Sequence, residues 1–309
     1  MSRAPGATVG GQAVIEGVMM RAPEGWAVAV RRPDGVIEAV SHELPKLLAR
    51  SRWRKVPFVR GMLVLAESLS LGFRALSWSA QKAGEEEEME IGRWHIAGAM
   101  AIGLIFFVGI FIIAPLLLAG AAQGFLGDSS IVFNLVDGLI RVVLFLGYIW
   151  IIGRSKEIGR VFEYHGAEHK TIHAYEAGDP LEVDAIQKYS PRHPRCGTNF
   201  LMIVILIALV IFTFIGRPRV ELLIASRIVL IPAIAGLSYE ILKAAATKQW
   251  LAVASKPGIW LQRLTTREPT GDQVEVAVAS LIAALEDEEV VAVKDRGPVA
   301  PGALAAEFS

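Results

Sequence analysis

The segment that decides the fold is residues 96–118, IAGAMAIGLIFFVGIFIIAPLLL. It contains no charged residue, and as an α-helix rising about 1.5 Å per residue it reaches roughly 34 Å, enough to cross the hydrocarbon core of a bilayer. The whole chain is also apolar, since 53% of its 309 residues are hydrophobic and its mean hydropathy is +0.45. We therefore expect an integral membrane protein.

Three further apolar segments are candidate spans, at residues 132–152, 200–215 and 222–242. Counted with the first segment, span two (132–152) carries Asp137 and Arg141, span three (200–215) is short, and span four (222–242) contains Arg227 and Glu240. A soluble helical core could mimic one such segment, but four in one chain favour a transmembrane bundle. The predicted fold class is an α-helical integral membrane protein with about four transmembrane helices, a small N-terminal β-hairpin region and cytoplasmic amphipathic helices.

The positive charges near the span ends predict the orientation. The short loop at residues 121–130 has no Lys or Arg, whereas the segment after the second span is rich in both. By the positive-inside rule that segment is expected to be cytoplasmic, and both termini then lie on the same side of the cell (cytoplasmic) membrane, which the chain crosses several times. Arg217 and Arg219, in the other outer loop, are evidence against this orientation.

Two buried charges need partners inside the membrane. In the predicted topology, Asp137 and Arg227 lie at similar depths and could pair across helices. Asp137 could instead pair locally with Arg141, four residues further along the same helical face. A local pair would reduce the cost of burial without any functional role.

Outside the spans the chain divides into regions of different character. Residues 1–45 are a glycine-rich β region, in which alternation around Pro33-Asp34-Gly35 predicts a hairpin. Within residues 46–94 we expect an amphipathic helix that lies on the membrane surface or covers the bundle, a fifth crossing being the costlier alternative, and then an acidic linker. The remaining predicted regions are spans one and two in 95–153, a cytoplasmic His/Glu/Cys loop in 154–197, spans three and four in 198–243, a C-terminal region with an amphipathic helix in 244–290 and a disordered tail in 291–309.

Composition excludes several classes of protein. Lys and Arg, 31 in all, balance the 31 Asp and Glu, so no basic field argues for nucleic acid. The single cysteine, Cys196, excludes an internal disulfide framework. The partner that the sequence predicts is the lipid bilayer.

The chemistry of the chain is concentrated in residues 163–176, EYHGAEHKTIHAYE. His165, Glu168 and His169 form an H-x-x-E-H pattern, in which two imidazoles lie one helical turn apart and a carboxylate shares their face. Such imidazoles can bind one divalent metal ion, with Zn²⁺ the first expectation, and Glu168 could orient or deprotonate a bound water.

Two histidines alone hold a metal poorly, so a third ligand is expected. His173 continues the same face one turn further on, with Glu176, His193 and Cys196 as competitors. Glu16 could also reach the metal if the N-terminal hairpin packs beside the histidine helix. Arg195, with Lys170 and Arg192, could bind an anionic substrate or phospholipid head groups.

The alternative is that these residues hold no catalytic metal. The pattern is short enough to occur by chance, and histidines near a membrane surface can hydrogen-bond carbonyls or head groups. A metal bound here could also be structural.

Three motifs resemble those of the YqhQ-like family of bacterial membrane proteins, which are labelled predicted metal-dependent enzymes and form a domain of unknown function. They are GGQAVIEGVMMR at residues 10–21, YHGAEHKTIHAYE at residues 164–176 and HPRCGT at residues 193–198. The motif QRLTTREP at residues 262–269 extends the resemblance through nearly the whole chain. The resemblance marks the following positions for testing: Glu16, His165, Glu168, His169, His193 and Cys196.

Two functions follow from the sequence. One is a membrane metal-dependent hydrolase, with Glu168 as general base and a membrane-associated peptide or a lipid as substrate. The other is a non-catalytic scaffold that docks a partner and holds a structural metal or none.

Overall fold

A computed structural model describes residues 9–44, 56–84, 93–216, 219–247 and 253–308. Its one sheet has five strands in the order β1-β2-β3-β4-β5, antiparallel except for the parallel β4–β5 pair. The strands are β1 (Gly10–Val14), β2 (Gly17–Arg21), β3 (Gly25–Arg31), β4 (Ile37–Glu43) and β5 (Glu307–Phe308). The predicted hairpin is confirmed as β3–β4, and Gly35 takes the positive φ of 86° that its turn requires.

Helices cover both faces of this sheet. Helix α1 (Val59–Ala83) places Leu71 and Ala75 against one face, and the C-terminal helix Gly271–Ala284 covers the other. Because side chains on both faces are buried, β2 and β3 are apolar almost throughout and do not alternate with polar residues. This helix lies in the stretch 46–94, for which the sequence predicts an amphipathic helix on the membrane surface or over the bundle. It covers the sheet and pairs Arg60 with Glu240 of the fourth predicted span. Its position relative to a membrane stays a prediction.

Among the described residues, four helical segments are long and apolar enough to cross a membrane, and they coincide with the predicted spans. The first comprises α2 (Arg93–Val108), a π-helical turn (Gly109–Ile113) and α3 (Ala114–Ala121), and it is followed by a short helix α4 (Gln123–Leu126). The others are α5 (Ser130–Ile152), α8 (Gly197–Phe214) and the pair α9 (Val220–Val229) and α10 (Ile231–Thr247). The break between α9 and α10 precedes Pro232, whose ring clashes with a preceding helical carbonyl.

The π-helical turn explains how Arg141 is accommodated among the spans. Pro115 has no N–H to give to the carbonyl of Phe111, four residues earlier. Arg141 Nε donates to that carbonyl at 2.8 Å, and its guanidinium lies 3.1 Å from the buried carboxylate of Asp137. The structure therefore has the local Asp137–Arg141 pair; the side chain of Arg227, proposed as the alternative partner, lies outside the described part.

The remaining helices connect the bundle to the sheet. They are α6 (Lys156–Ala177), α7 (Val183–Ile186), α11 (Lys256–Thr265), α12 (Gly271–Ala284), α13 (Asp287–Lys294) and α14 (Pro301–Leu304). Helix α12 lies where the sequence predicts a C-terminal amphipathic helix, and it begins with a capping box between Thr270 and Gln273. The amphipathic part of that prediction is wrong, because every residue from Gln273 to Ala284 is buried or half-buried.

The C-terminal tail differs from its prediction. In place of disorder from residue 291, the chain forms α13, α14 and β5. Ala300 is fully buried and its N–H donates to the Leu181 carbonyl at 2.9 Å. The composition of the tail wrongly predicted disorder, because alanines contribute little hydrophobicity but fit closely between larger elements.

Candidate metal centre

Helix α6 carries the histidine motif, and its ends are well defined. The Ser155 hydroxyl caps the N-terminus by accepting from the Ile158 N–H, and Gly178 ends the helix in the left-handed conformation with φ 79°. Glycines on α6 allow other segments to approach closely: a Cβ on Gly166 would collide with the Arg267 carbonyl oxygen. The helix is therefore packed tightly against the chain that follows α11.

Backbone carbonyls fix the tautomers of the two motif histidines. His165 Nδ1 lies 2.8 Å from the Thr265 carbonyl, and His169 Nδ1 lies 2.7 Å from the Pro191 carbonyl. Because a carbonyl oxygen only accepts, both Nδ1 atoms carry the proton and both Nε2 atoms present a lone pair. A backbone carbonyl that accepts from Nδ1 commonly orients histidine ligands of metals in this way.

Cys196 joins these two nitrogens from another part of the chain. Its sulfur lies 3.1 Å from His165 Nε2, and it accepts from the N–H and hydroxyl of Thr198 at 3.4 and 3.3 Å. Burial raises the pKa of the Cys196 thiol, while the Thr198 hydrogen bonds lower it. Cys196 is also the N-cap of α8, where the helix dipole favours a thiolate.

The donor atoms of His165, His169 and Cys196 all lie within 4.8 Å of one another. His169 is 1% exposed, and its Nε2 has no hydrogen-bond partner within the described ranges. A buried lone pair without a partner is costly, and an ion held between two imidazoles and a thiolate would remove that cost. Of the sequence's four candidates for a third ligand, Cys196 is the one that completes this group.

Glu168 lies beside the three donors and is itself buried. It accepts a backbone hydrogen bond from Gly11 of β1, and a side chain on Gly11 would crowd its carboxylate. Its Oε2 has no partner among the described residues. Burial raises the pKa of the Glu168 carboxyl to about 8, an effect that nearby His165 and the Gly11 hydrogen bond oppose. Gly11 of β1 thus lets the sheet approach the histidine helix at the motif carboxylate.

The other candidate ligands form a separate group next to the centre. Burial lowers the pKa of the His193 imidazole to about 4, and His193 Nδ1 accepts from the Arg195 N–H at 3.2 Å. Its Nε2 faces the Glu176 carboxylate at 3.6 Å, and Glu176 in turn pairs with Arg195. His173 donates to the Arg192 carbonyl at 3.0 Å and stacks on Tyr189. The contacts of these candidate ligands are therefore with one another and with the nearby backbone of residues 192–195.

Glu16 is also engaged elsewhere. The sheet does pack beside α6, as its candidate role required, but Arg160 pairs with the Glu16 carboxylate and the Tyr164 hydroxyl lies 3.4 Å from it. The positive φ of 51° at Glu16 places it in the tight turn between β1 and β2. The structure therefore gives Glu16 a role in joining this turn to α6.

Gln262 is a site residue that pattern reading did not single out. It is fully buried, accepts from the His193 N–H at 2.8 Å and donates to the His193 carbonyl at 2.9 Å and to Asn199 at 3.1 Å. These bonds tie α11 to the loop that carries His193 and Cys196. The available signal was its place in the QRLTTREP motif, which also contains Thr265, whose carbonyl accepts from His165 Nδ1.

Comparison with known proteins gives the family of the chain. A family model described as "Protein of unknown function (DUF1385)" matches residues 56–287. The chain belongs to this family. It is 32% identical over 290 residues to "Uncharacterized protein YqhQ" of Bacillus subtilis (strain 168), covering 88% of this chain and 90% of that relative. No solved structure matches it significantly. The family is thus shown, and it carries no established activity.

Proposed function

We propose that this protein is a membrane metal-dependent hydrolase, whose centre is formed by His165, His169 and Cys196 with Glu168 as the proton acceptor. The proposal rests on the buried His169 Nε2, which has no hydrogen-bond partner in the part of the chain that the structure describes, and on the grouping of donor atoms from His165, His169 and Cys196 within 4.8 Å. Two imidazoles and a thiolate suit Zn²⁺ better than Mg²⁺ or Ca²⁺, which prefer oxygen ligands.

The residues of the chain divide the chemical work. When bound, a divalent metal supplies Lewis acidity, which polarises a carbonyl or phosphoryl oxygen and lowers the pKa of water. The Thr265 and Pro191 carbonyls hold the two imidazoles with their lone pairs directed to the centre. Glu168 lies beside these donors with an Oε2 that has no partner among the described residues, and as a carboxylate it would accept a proton from water and return it to a leaving group.

The location supports a substrate in or on the membrane. Cys196 immediately precedes the candidate span α8, and α6 begins four residues after the end of candidate span α5. We place the centre on the cytoplasmic face because of the charge asymmetry of the loops. Its substrate would be a membrane-associated peptide or a lipid ester.

A structural metal is the second candidate function. The donors lie on α6 and at the start of α8, and the acceptors that orient them belong to α11 and to the loop before α8. An ion here would clamp the spans to the sheet without any reaction, as in a membrane scaffold that docks a partner through its soluble part.

Cobalt substitution separates the two candidates, because catalytic sites keep an exchangeable position and structural sites do not. The purified full chain loaded with Co²⁺ should show a thiolate-to-metal absorption that is lost in Cys196→Ser. Addition of acetohydroxamate should then change the visible spectrum if a position is open. An unchanged spectrum would contradict the hydrolase and favour the structural clamp.

Glu168→Gln tests the role of the carboxylate, since it removes proton transfer and retains the shape. The variant should bind as much metal as the wild type and lose at least about 100-fold in any hydrolysis that the wild type performs on ester, phosphoester or peptide probes. Glu163→Gln, on another face of the same helix, is the matched control. Equal loss in both variants would refute a specific role for Glu168.

A further inference from the structure

A cavity of about 250 Å³ lies where candidate span α5 ends and α6 has not yet begun. Three arginines line it, Arg154 from the connection after α5 and Arg263 and Arg267 from the end of α11 and the chain beyond it. No carboxylate is among the lining residues, and none of these arginines forms an ion pair with a described residue. The cavity therefore concentrates positive charge that the described chain does not neutralise.

The fold holds two of these arginines in place. The Arg154 guanidinium lies 3.6 Å from the centre of the Trp150 ring, a cation–π contact. Arg267 donates to the carbonyl of Gly153, the C-cap of α5, and so stays against the end of that helix. A guanidinium has five N–H donors in a planar fork, so most remain available to an anion. Like charges gathered in this way are stabilised by a phosphate group.

The surroundings of the cavity indicate a lipid as the source of that phosphate. Trp150 on α5 is 50% exposed and Trp260 on α11 is 47% exposed, and exposed tryptophans mark the membrane–water interface. Ile149 and Leu264 give the cavity an apolar side, and the neighbouring Ile151 is 63% exposed. A head-group phosphate among the arginines would leave its acyl chains along the exposed side of α5.

We propose that this cavity binds the phosphate group of an anionic phospholipid. The inference goes beyond the proposed hydrolase, because it needs neither metal nor reaction. It also places a lipid beside the candidate metal centre: Thr266 lines the cavity, and the adjacent Thr265 carbonyl orients His165.

Native mass spectrometry of the full chain in neutral detergent measures this binding. Phosphatidylglycerol should be retained at least about thirtyfold more tightly than phosphatidylcholine with the same acyl chains, since each interfacial arginine contributes roughly fivefold in affinity. Arg154→Gln/Arg263→Gln should lower the preference about 25-fold and leave only the contribution of Arg267. Arg263→Gln alone, at an exposed position, should lose about fivefold and guards against misfolding of the double variant.

The control variant is Lys188→Gln/Lys294→Gln, which removes the same charge from exposed positions outside the cavity. It should bind phosphatidylglycerol as the wild type does. An equal loss in the control would overturn the site, because it would show general charge attraction only. Displacement of the lipid by equimolar glycerol phosphate would overturn the proposal that the ligand is a lipid and would indicate a soluble phosphoester. Failure of glycerol phosphate to displace the lipid supports the proposal.

Discussion

At the scale of single residues, the positions of backbone carbonyls decide which side chains can reach the candidate metal centre. The H-x-x-E-H spacing was enough to bring His165, Glu168 and His169 to one helical face. It could not choose a third ligand, because that depends on how residues 187–196 fold back onto α6. His173 has the right helical spacing, but its ring bonds to the Arg192 carbonyl and stacks on Tyr189. Cys196 reaches the centre as the N-cap of α8.

Gln262→Leu should lower the free energy of unfolding by about 2–4 kcal/mol, because it leaves the buried N–H and carbonyl of His193 without partners. Thermal denaturation of the purified protein in detergent measures the loss. Gln81→Leu, at an exposed position of α1, is the matched control and should change stability by less than about 0.5 kcal/mol. Similar stability in both variants would show that these hydrogen bonds contribute little.

At the scale of elements, hydropathy predicted the spans and alternation predicted the β3–β4 hairpin, since both signals are local in sequence. The packing of β1 on α6 and of α1 on α10 was beyond such signals. These contacts require glycines at close approaches: Gly11 faces Glu168, and Gly236 of α10 faces the backbone of Phe58. A glycine in the sequence does not tell which segment will approach it.

Gly166→Ala should disturb the candidate centre through the helix packing alone. Its methyl group would collide with the Arg267 carbonyl oxygen and displace the segment that includes Thr265, at a cost of about 1–3 kcal/mol. Gly147→Ala is the control, because a Cβ there meets open space within α5. We expect lower thermal stability and weaker Co²⁺ absorption in Gly166→Ala only. Unchanged metal absorption in that variant would show that the candidate centre does not depend on the contact between Gly166 and Arg267.

At the scale of the whole molecule, the sheet and the candidate spans meet at the candidate centre. The sheet contributes Gly11, the connecting helix α6 contributes the motif, and α8 begins at Cys196. Hydropathy predicted the four candidate spans, because apolar length is a property of the sequence itself. The folding of the C-terminal tail was not predicted, since it depends on contacts with distant residues such as Leu181.

The predicted topology places the connection between the first two spans opposite the histidine segment. Asp128→Cys and Ser190→Cys introduce thiols at exposed positions of these two segments, whereas native Cys196 is buried. A membrane-impermeant maleimide applied to intact cells should label Asp128→Cys and leave Ser190→Cys unlabelled until the cells are opened. Labelling of Ser190→Cys in intact cells would reverse the orientation.

The central claim is that His165, His169 and Cys196 hold a metal ion. Elemental analysis of the full chain, purified without chelators, tests it most directly beside His165→Ala/His169→Ala and the control His42→Ala, an exposed histidine of β4. We predict about one Zn²⁺ per chain in wild type and control, and less than about one-tenth of that in the double variant. Wild-type protein without stoichiometric metal, or a double variant that keeps it, would contradict the account.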